Sequence, residues 1–247
     1  CDYMIYHEPE SGRLFPIEHD GNEAFNARHE RLNPFQHETN TNRPVISKLL
    51  SVPEFRQRYI AHMRTVLEND FNPENLNSII DRYVKTIESF VEDDPKKDYD
   101  MNSFRGSISQ LKDLINSRYE FLINHPEISK APPSIISVSK PTDATVNVPV
   151  TITATVIQSE NDGIDSVHIY YTPKGHIDPY SSVEMFDDGN HNDSEPNDGI
   201  YGASVPSFSS GEKVWYYIEA RSGNSSNTAT FYPKMTEAAP LSYRVRS

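Results

Sequence analysis

The residues from Arg13 to Phe25, RLFPIEHDGNEAF, place metal-capable side chains directly after a short apolar run. Asp20 and Asn22 supply a carboxylate and an amide on either side of Gly21. Such oxygens are ligands for magnesium and calcium, and in phosphoryl-transfer sites a carboxylate after a strand holds the magnesium that bridges the phosphates. The same two side chains also suit an Asx turn, in which they accept local backbone N–H groups. From these residues alone, the turn is the favoured interpretation.

A second group of side-chain oxygens lies in FDDGNHNDSEPNDGIYGASVP, from Phe186 to Pro206. Calcium binds roughly six to eight oxygens in a flexible loop, so this stretch predicts a calcium site. The spacing is not that of an EF-hand, since Asp193 stands in place of the EF-hand glycine and Gly199 in place of its final glutamate. A solvated acidic turn between strands is the alternative, and both interpretations stay open. The calcium ligands would be Asp187, Asp188, Asn190, Asn192, Asp193 and Asp198.

Length and composition limit the classes of protein to which this chain can belong. At roughly 150 residues per domain, 247 residues suit two domains. The formal net charge of −13 disfavours nucleic acid as a partner, because an acidic surface repels phosphate backbones. The single cysteine excludes an internal disulfide, and no apolar run approaches the roughly 20 residues of a membrane span. The chain begins with Cys1 rather than methionine, so we expect a processed or shortened polypeptide.

A β-hairpin followed by helices would position the first group of oxygens. YMIYHEP and RLFPIEH are apolar strand patterns on either side of the turn ESG. Residues 20–42 are rich in asparagine and histidine and predict a long loop, of the kind that is functional or disordered. Three helical patterns follow. The first is expected to begin with Ser51 as N-cap and Pro53 in its first turn, and the second with Asn72 and Pro73 in the same roles.

Apolar side chains recur at helical spacing in all three patterns, which predicts the core of a helical subdomain. In the first helix these side chains are Phe55, Tyr59, Met63, Val66 and Leu67. In the second they are Leu76, Ile79, Ile80, Tyr83, Val84, Ile87 and Val91. No cofactor is needed to explain any of the three stripes.

The composition changes at KAPPS, near Lys130, and we place a domain boundary there, between residues 1–130 and 131–247. The paired prolines lack backbone donors and favour an extended chain. Beyond them, about seven short strand patterns separated by turn signals predict an immunoglobulin-like sandwich. VPVTITATV alternates apolar and threonine positions, which predicts one buried and one solvated face, and Trp215 is expected in the core. The predicted fold class is therefore α+β, with a hairpin and helices before an all-β sandwich.

The order of these stretches resembles the C-terminal part of the spore-coat-protein-H-like (CotH) kinase family. That family has a strand pair of the form YxxxDxxTGRWxxxPWDxDxxFG, a PLIxRLLxxPEFRxxY helix and a later helix that ends in R…FL. This chain has YMIYHEPESGRLFPIEHDGNEAF, RPVISKLLSVPEFRQRYIAHM and INSRYEFL, so the resemblance spans Tyr3 to Leu122. PEFRQRY is its most specific piece. The resemblance implies the helical C-terminal part of an atypical kinase domain.

Carried over position by position, Asp20 matches the first aspartate of the family's WDxD and Asn22 the second, with His19 in place of the tryptophan. The resemblance then implies that Asp20 is the catalytic carboxylate that binds magnesium with ATP. Asn22 would be a weaker ligand, because an amide binds the metal less strongly than a carboxylate. The implied reaction is phosphate transfer from ATP to a protein serine or threonine. The family's nucleotide lobe would precede this strand pair, and the sequence has no glycine-rich phosphate loop, so we expect this chain alone to be inactive.

The stretch from Phe186 to Pro206 resembles the DDGxxGDxxxGDGxYxAxIP loop of immunoglobulin-like domains in secreted bacterial proteins. Together the two resemblances imply a bacterial protein that is secreted or belongs to the cell surface or spore coat, with a protein substrate or a coat protein as its partner. The alternative is a non-enzymatic surface protein, in which the sandwich mediates assembly or adhesion. Asn22 favours this alternative, whereas Asp20 and PEFRQRY favour the kinase.

Overall fold

The structure is a computed structural model that describes residues 4–17, 21, 24–142, 144–158, 162–175, 178–223 and 228–247. Within these residues the helices are α1 (Pro44–Leu50), α2 (Pro53–Asn69), α3 (Pro73–Asp93) and α4 (Met101–Ile123). The strands there are β1 (Met4–His7), β2 (Leu14–Ile17), β3 (Ser134–Val138), β4 (Val150–Ile157), β5 (Ile164–Thr172), β6 (Ser181–Met185), β7 (Ile200–Val205), β8 (Lys213–Ser222), β9 (Ala229–Tyr232) and β10 (Leu241–Arg244). Helices dominate the N-terminal part and antiparallel strands the C-terminal part, which confirms the α+β class.

The chain forms two compact units, each of which combines segments that are distant in sequence. The first, here the sandwich unit, comprises Cys1–Glu18, Pro53–His62 and Lys130–Ser247. The second, here the helical unit, comprises His19–Val52 and Met63–Ser129. The sandwich unit therefore includes the hairpin and the first turns of α2. Among the described helices, none is long and apolar enough to cross a membrane.

The predicted hairpin is confirmed, because β1 and β2 pair antiparallel around the ESG turn. The Glu8 carboxylate closes this turn by accepting the backbone N–H of Ser11. Arg13 attaches the hairpin to the rest of the sandwich unit. Its guanidinium donates to the backbone carbonyl of Asp178 at 3.2 Å and forms an ion pair with Glu237.

The helix starts agree with the sequence at α3 and differ at α2. The Asn72 side chain accepts the Glu74 N–H at 2.9 Å, which confirms Asn72 as the N-cap of α3. The prediction of Ser51 as the N-cap of α2 is wrong, since Val52 takes that position and makes no side-chain hydrogen bond there. The reason is a separate short helix, α1, which ends at Leu50 and has Ser51 as its C-cap. The Ser51 hydroxyl donates to the carbonyl of Lys48 at 2.8 Å instead.

The apolar stripe predicted as core in α3 is wrong at Ile79, Tyr83 and Ile87, which are exposed. The apolar stripe predicted for α2 is wrong at two of its positions. Phe55 and Val66 are each 44 % exposed. The buried side chains of this helix are Gln57, Ile60, Ala61, Thr65 and Leu67. Ala61 packs against Tyr217 and Phe231 in the sandwich unit, and helical periodicity alone cannot identify such a partner surface.

The described strands of the sandwich form a three-stranded sheet, β3-β4-β7, and a five-stranded sheet in which β10-β8-β5-β6 are neighbours and β9 also pairs with β8. This arrangement confirms the immunoglobulin-like sandwich. The side chains of β4 alternate as predicted. Val150, Ile152, Ala154 and Val156 are buried, whereas the threonines between them are only partly buried.

Trp215 does not lie in the core, contrary to the prediction. Along β8 the core is filled by every second residue, including Val214, Tyr216 and Ile218. Side chains alternate between the faces of a strand, so Trp215 belongs to the other face, where it is half-buried. The Lys213 ammonium lies 5.0 Å from the centroid of its ring.

That other face of β8 carries a fully buried carboxylate. Glu219 is 0 % exposed, and its oxygens accept hydrogen bonds from Arg58 at 2.6 Å (Nη2) and 3.2 Å (Nε). Arg221 donates its Nε to Glu219 at 3.0 Å and pairs with Glu54 at 3.2 Å. Burial by itself would raise the pKa of Glu219. The two guanidinium groups outweigh burial and hold this pKa below its ordinary value.

This ion network holds the first turns of α2 on the sheet. Arg58 also lies over the ring of Tyr170, 4.8 Å from its centroid, and Tyr170 stacks on Tyr217 with the centroids 4.9 Å apart. One helical turn after Arg58, His62 stacks on Phe231 at 4.8 Å. All of these residues belong to the sandwich unit, so the start of α2 covers a sheet face that would otherwise expose aromatic rings.

Glu219→Gln should lower the free energy of unfolding by about 3 kcal/mol, because two partly buried arginines lose their counter-charge. The folded state has the lower pKa, so this stabilisation is present above the ordinary glutamate pKa and is lost as the pH falls through the folded-state value. The difference between wild type and variant should therefore narrow in acid. Urea denaturation from about pH 3 to about pH 7 measures both effects.

The matched control for this prediction is Glu184→Gln, which removes an exposed carboxylate from β6, a strand of the same sheet that pairs with β5. It should change the stability little at any pH. Equal stability of wild type and Glu219→Gln at neutral pH would contradict the role assigned to the network.

Candidate functional sites

The residues predicted to bind magnesium lie outside the described residues. Asp20 and Asn22 fall in the two short gaps on either side of Gly21. β2 ends at Ile17, so Asp20 follows a strand by three residues, as its sequence pattern indicates. The role of Asp20 and Asn22 as metal ligands stays a prediction.

Residues 24–42, predicted as part of a long loop, form successive turns closed by asparagine side chains. The Asn26 side chain accepts a backbone N–H at 3.0 Å at the start of a 3-10 turn, Ala27–His29. The Asn33 side chain does the same for the N–H of Phe35 at 2.9 Å, and Phe35 is buried. The asparagine-rich composition of this segment therefore serves local turn geometry.

An apolar cavity of about 340 Å³ lies in the helical unit, beside the first of these turns. Phe25 from the loop, Met63 from α2 and Leu122 from α4 are among its lining residues. Arg118 of α4 donates to the carbonyls of Glu30, at 3.3 Å, and of Leu32, which holds the loop at the cavity. The volume is at the lower end of the roughly 300–1,000 Å³ of small-ligand pockets. No sequence pattern predicts this cavity, because its walls come from three separate segments.

In the acidic stretch from Phe186 to Pro206, Asp193 is fully buried and organises the backbone around it. Its Oδ2 accepts the N–H groups of Asp188, at 2.5 Å, and Gly189, at 2.8 Å. Its Oδ1 accepts the N–H of His191 at 2.8 Å. Burial opposes ionisation of this carboxyl, but the amide hydrogen bonds outweigh burial and lower its pKa.

Asp187 closes the second half of the same loop. Its Oδ1 accepts the N–H of Asp198 at 3.1 Å, and its Oδ2 accepts the N–H of Gly199 at 3.0 Å. Asp198 in turn accepts the N–H of Ile200 at 2.8 Å, where β7 begins. Two carboxylates thus satisfy the backbone that leads into the strand.

Asp188, Asn190 and Asn192 also make local hydrogen bonds. The Oδ1 of Asp188 lies 2.9 Å from the ring nitrogen Nδ1 of His191 and accepts the N–H of Asn190 at 2.9 Å. The hydrogen bond with His191 is the main reason that the pKa of Asp188 is lowered. Asn192 donates to the hydroxyl of Thr151 at 3.1 Å, which ties the loop to β4.

The loop packs so closely on β7 that only glycine fits at position 202. A Cβ atom there would lie 2.2 Å from the carbonyl oxygen of His191, far inside van der Waals contact. Close packing therefore explains the glycine at position 202, whereas turns explain other glycines of this stretch.

The predicted calcium ligands do come together in one loop, but most of their oxygens accept N–H groups of that loop. Within the described residues, no group of three or more histidine, cysteine, aspartate or glutamate side chains has the arrangement of a metal site. Calcium binding by Asp187, Asp188, Asn190, Asn192, Asp193 and Asp198 stays a prediction.

Two family models match the chain. Residues 1–122 match the family described as CotH kinase protein, and this matched range includes the positions of Asp20 and Asn22. Residues 135–220 match the conditioned medium factor second immunoglobulin-like domain, which includes the acidic loop. A search among curated proteins found no match to the chain. The two matches confirm the order of domains predicted from the sequence.

Asp193→Ala should lower the melting temperature by several degrees even in the presence of EDTA, because three backbone N–H groups lose their acceptor. Calorimetry with and without calcium measures this effect. Glu195→Ala is the matched control, since it removes an exposed carboxylate of the same loop. If Asp193→Ala destabilises the protein only when calcium is present, a bound cation rather than the amide groups explains the buried carboxylate.

Proposed function

We propose that this chain, which carries a CotH kinase domain at residues 1–122 followed by an immunoglobulin-like domain at residues 135–220, takes part in phosphate transfer from ATP to a protein hydroxyl. The match to the CotH kinase family is the observation that carries this proposal. In it, Asp20 would hold a magnesium ion, which would supply positive charge to the nucleotide phosphates, as a metal-binding aspartate does in kinases. The partner is a protein that presents a serine or threonine side chain.

The donor set of Asp20 and Asn22 fits magnesium, because both residues offer the oxygen ligands that this small, hard cation prefers. When bound, the cation would neutralise charge on the phosphates. The described neighbours of Asp20 support the proposal. β2 pairs with β1 and ends at Ile17, three residues before Asp20 in sequence, and Phe25, five residues after it in sequence, lines the apolar cavity.

Asn22 makes the proposed metal site weaker than a site with two carboxylates. A neutral amide oxygen contributes no charge to the binding of a divalent cation, whereas a carboxylate contributes a full negative charge. Replacing this asparagine with aspartate should therefore increase the affinity of the site for magnesium.

Asp20→Ala should abolish magnesium-dependent ATP binding, and Asn22→Asp should tighten it by about tenfold, because one variant removes the charged ligand and the other adds one. Isothermal titration of the full 247-residue chain with ATP, in magnesium and in EDTA, measures both effects. Binding is the readout because it tests the metal ligands directly and needs no protein substrate.

Glu10→Ala is the control for this titration, because it removes an exposed carboxylate from the turn of the same hairpin. It should leave ATP binding unchanged. ATP binding that does not depend on magnesium, or that survives Asp20→Ala, would count against Asp20 as the metal ligand.

A second candidate function is non-enzymatic assembly or adhesion at the spore coat or bacterial cell surface. The immunoglobulin-like match and the asparagine at position 22 are the observations that favour it. In that case the sandwich contacts a coat or surface protein and the helical part has only a structural role. A chain that binds no ATP in either condition would favour this function over phosphate transfer.

A further inference from the structure

One side of α3 carries apolar side chains that are exposed in the described structure. Ile79, Tyr83, Ile87 and Phe90 are 37, 60, 43 and 75 % exposed, and α3 has no buried residue. Their spacing of four, four and three residues places them in one row along the helix. We call these four residues the α3 stripe. Contiguous exposed apolar surface of this kind is typical of a protein-binding surface rather than of a solvated helix.

The helix α4 packs against a different side of α3. Asp81 pairs with Lys112, and Glu88 pairs with Arg105 at 2.8 Å. At about 100° per residue, both acids point well away from the row that contains Tyr83 and the rest of the α3 stripe. Within the described residues, α4 therefore satisfies one side of α3 and leaves the stripe available.

We propose that the α3 stripe binds the α3 stripe of a second copy of this chain, with the two helices antiparallel about a two-fold axis. The order of the side chains makes this surface self-complementary. In the antiparallel arrangement Tyr83 of one copy faces Ile87 of the other, and Ile79 faces Phe90. The midpoint in sequence between the two members of each pair lies within one residue of Lys85. A single two-fold axis near Lys85 can therefore relate both pairs. Each contact sets an aromatic ring against a branched aliphatic side chain.

The size of the α3 stripe sets the expected strength of this contact. A fully covered aromatic side chain buries about 150–250 Å², so the exposed parts of the four side chains amount to roughly 400 Å² per copy. Bordering residues such as Arg82 and Thr86 would add to this area. The total then approaches the low end of specific interfaces, near about 1,200 Å² for both copies. We therefore expect a reversible dimer with a dissociation constant in the micromolar range.

Sedimentation of the full chain from about 1 µM to about 200 µM should show the mass rising from monomer to dimer. The double variant Tyr83→Glu/Phe90→Glu should weaken association by at least about a hundredfold, because it places charges in the apolar contact. Ile136→Glu is the control, since Ile136 is 56 % exposed on β3 and lies outside the stripe. Circular dichroism checks that each variant is folded.

A cross-linking experiment tests the position of the two-fold axis. Thr86→Cys borders the α3 stripe beside the proposed axis, whereas Lys85→Cys is at the same height on the other side of the helix. Both are made with Cys1→Ser, so that the new thiol is the sole reactive one. A short bis-maleimide should link two copies through Cys at position 86 and not through Cys at position 85.

Three outcomes would overturn the proposal. They are a wild-type chain that stays monomeric over the whole concentration range, a dimer that survives the double stripe variant, and equal cross-linking at positions 85 and 86. Loss of the dimer in the double variant together with selective cross-linking at position 86 would support it.

Discussion

A carboxylate without access to water must be satisfied by hydrogen bonds or by positive charge, and Glu219 is satisfied by the guanidinium groups of Arg58 and Arg221. Arg58 and Glu219 are 161 residues apart in sequence, so their contact joins the start of α2 to the middle of β8. Around it the rings of Tyr170 and Tyr217 are covered. Residues 53–62 belong to the sandwich unit because this contact, together with the packing of Ala61 and His62 on Phe231, joins the start of α2 to the sheet.

This contact changes how the two family matches should be interpreted. Arg58, the second arginine of PEFRQRY, binds a glutamate of the immunoglobulin-like domain. Residues that match the kinase family therefore form a compact unit together with the sandwich. The immunoglobulin-like domain supplies part of the support for the kinase-family helix and is more than an appended module.

The acidic loop shows the same chemistry on a smaller scale. Asp193 and Asp187 are both used as acceptors for backbone N–H groups, and the lowered pKa of Asp193 follows from those hydrogen bonds. The number of carboxylates in a sequence therefore does not determine how many oxygens can bind a cation, because some of them accept backbone hydrogen bonds. The same reasoning applies to Asp20, because its neighbours in sequence are compatible both with a local turn and with a metal site.

The sequence by itself determined the hairpin, the Asn72 cap, the alternation along β4 and the order of the two domains, because each depends on side-chain spacing within one short segment. Only the tertiary structure decided that Trp215 faces away from the core, that α2 buries Ala61 rather than Phe55, and that the α3 stripe stays exposed. It also decided the partners of Glu219 and the walls of the apolar cavity. These features depend on contacts between segments far apart in the chain, and no local pattern of residue types records which distant surface a side chain will meet.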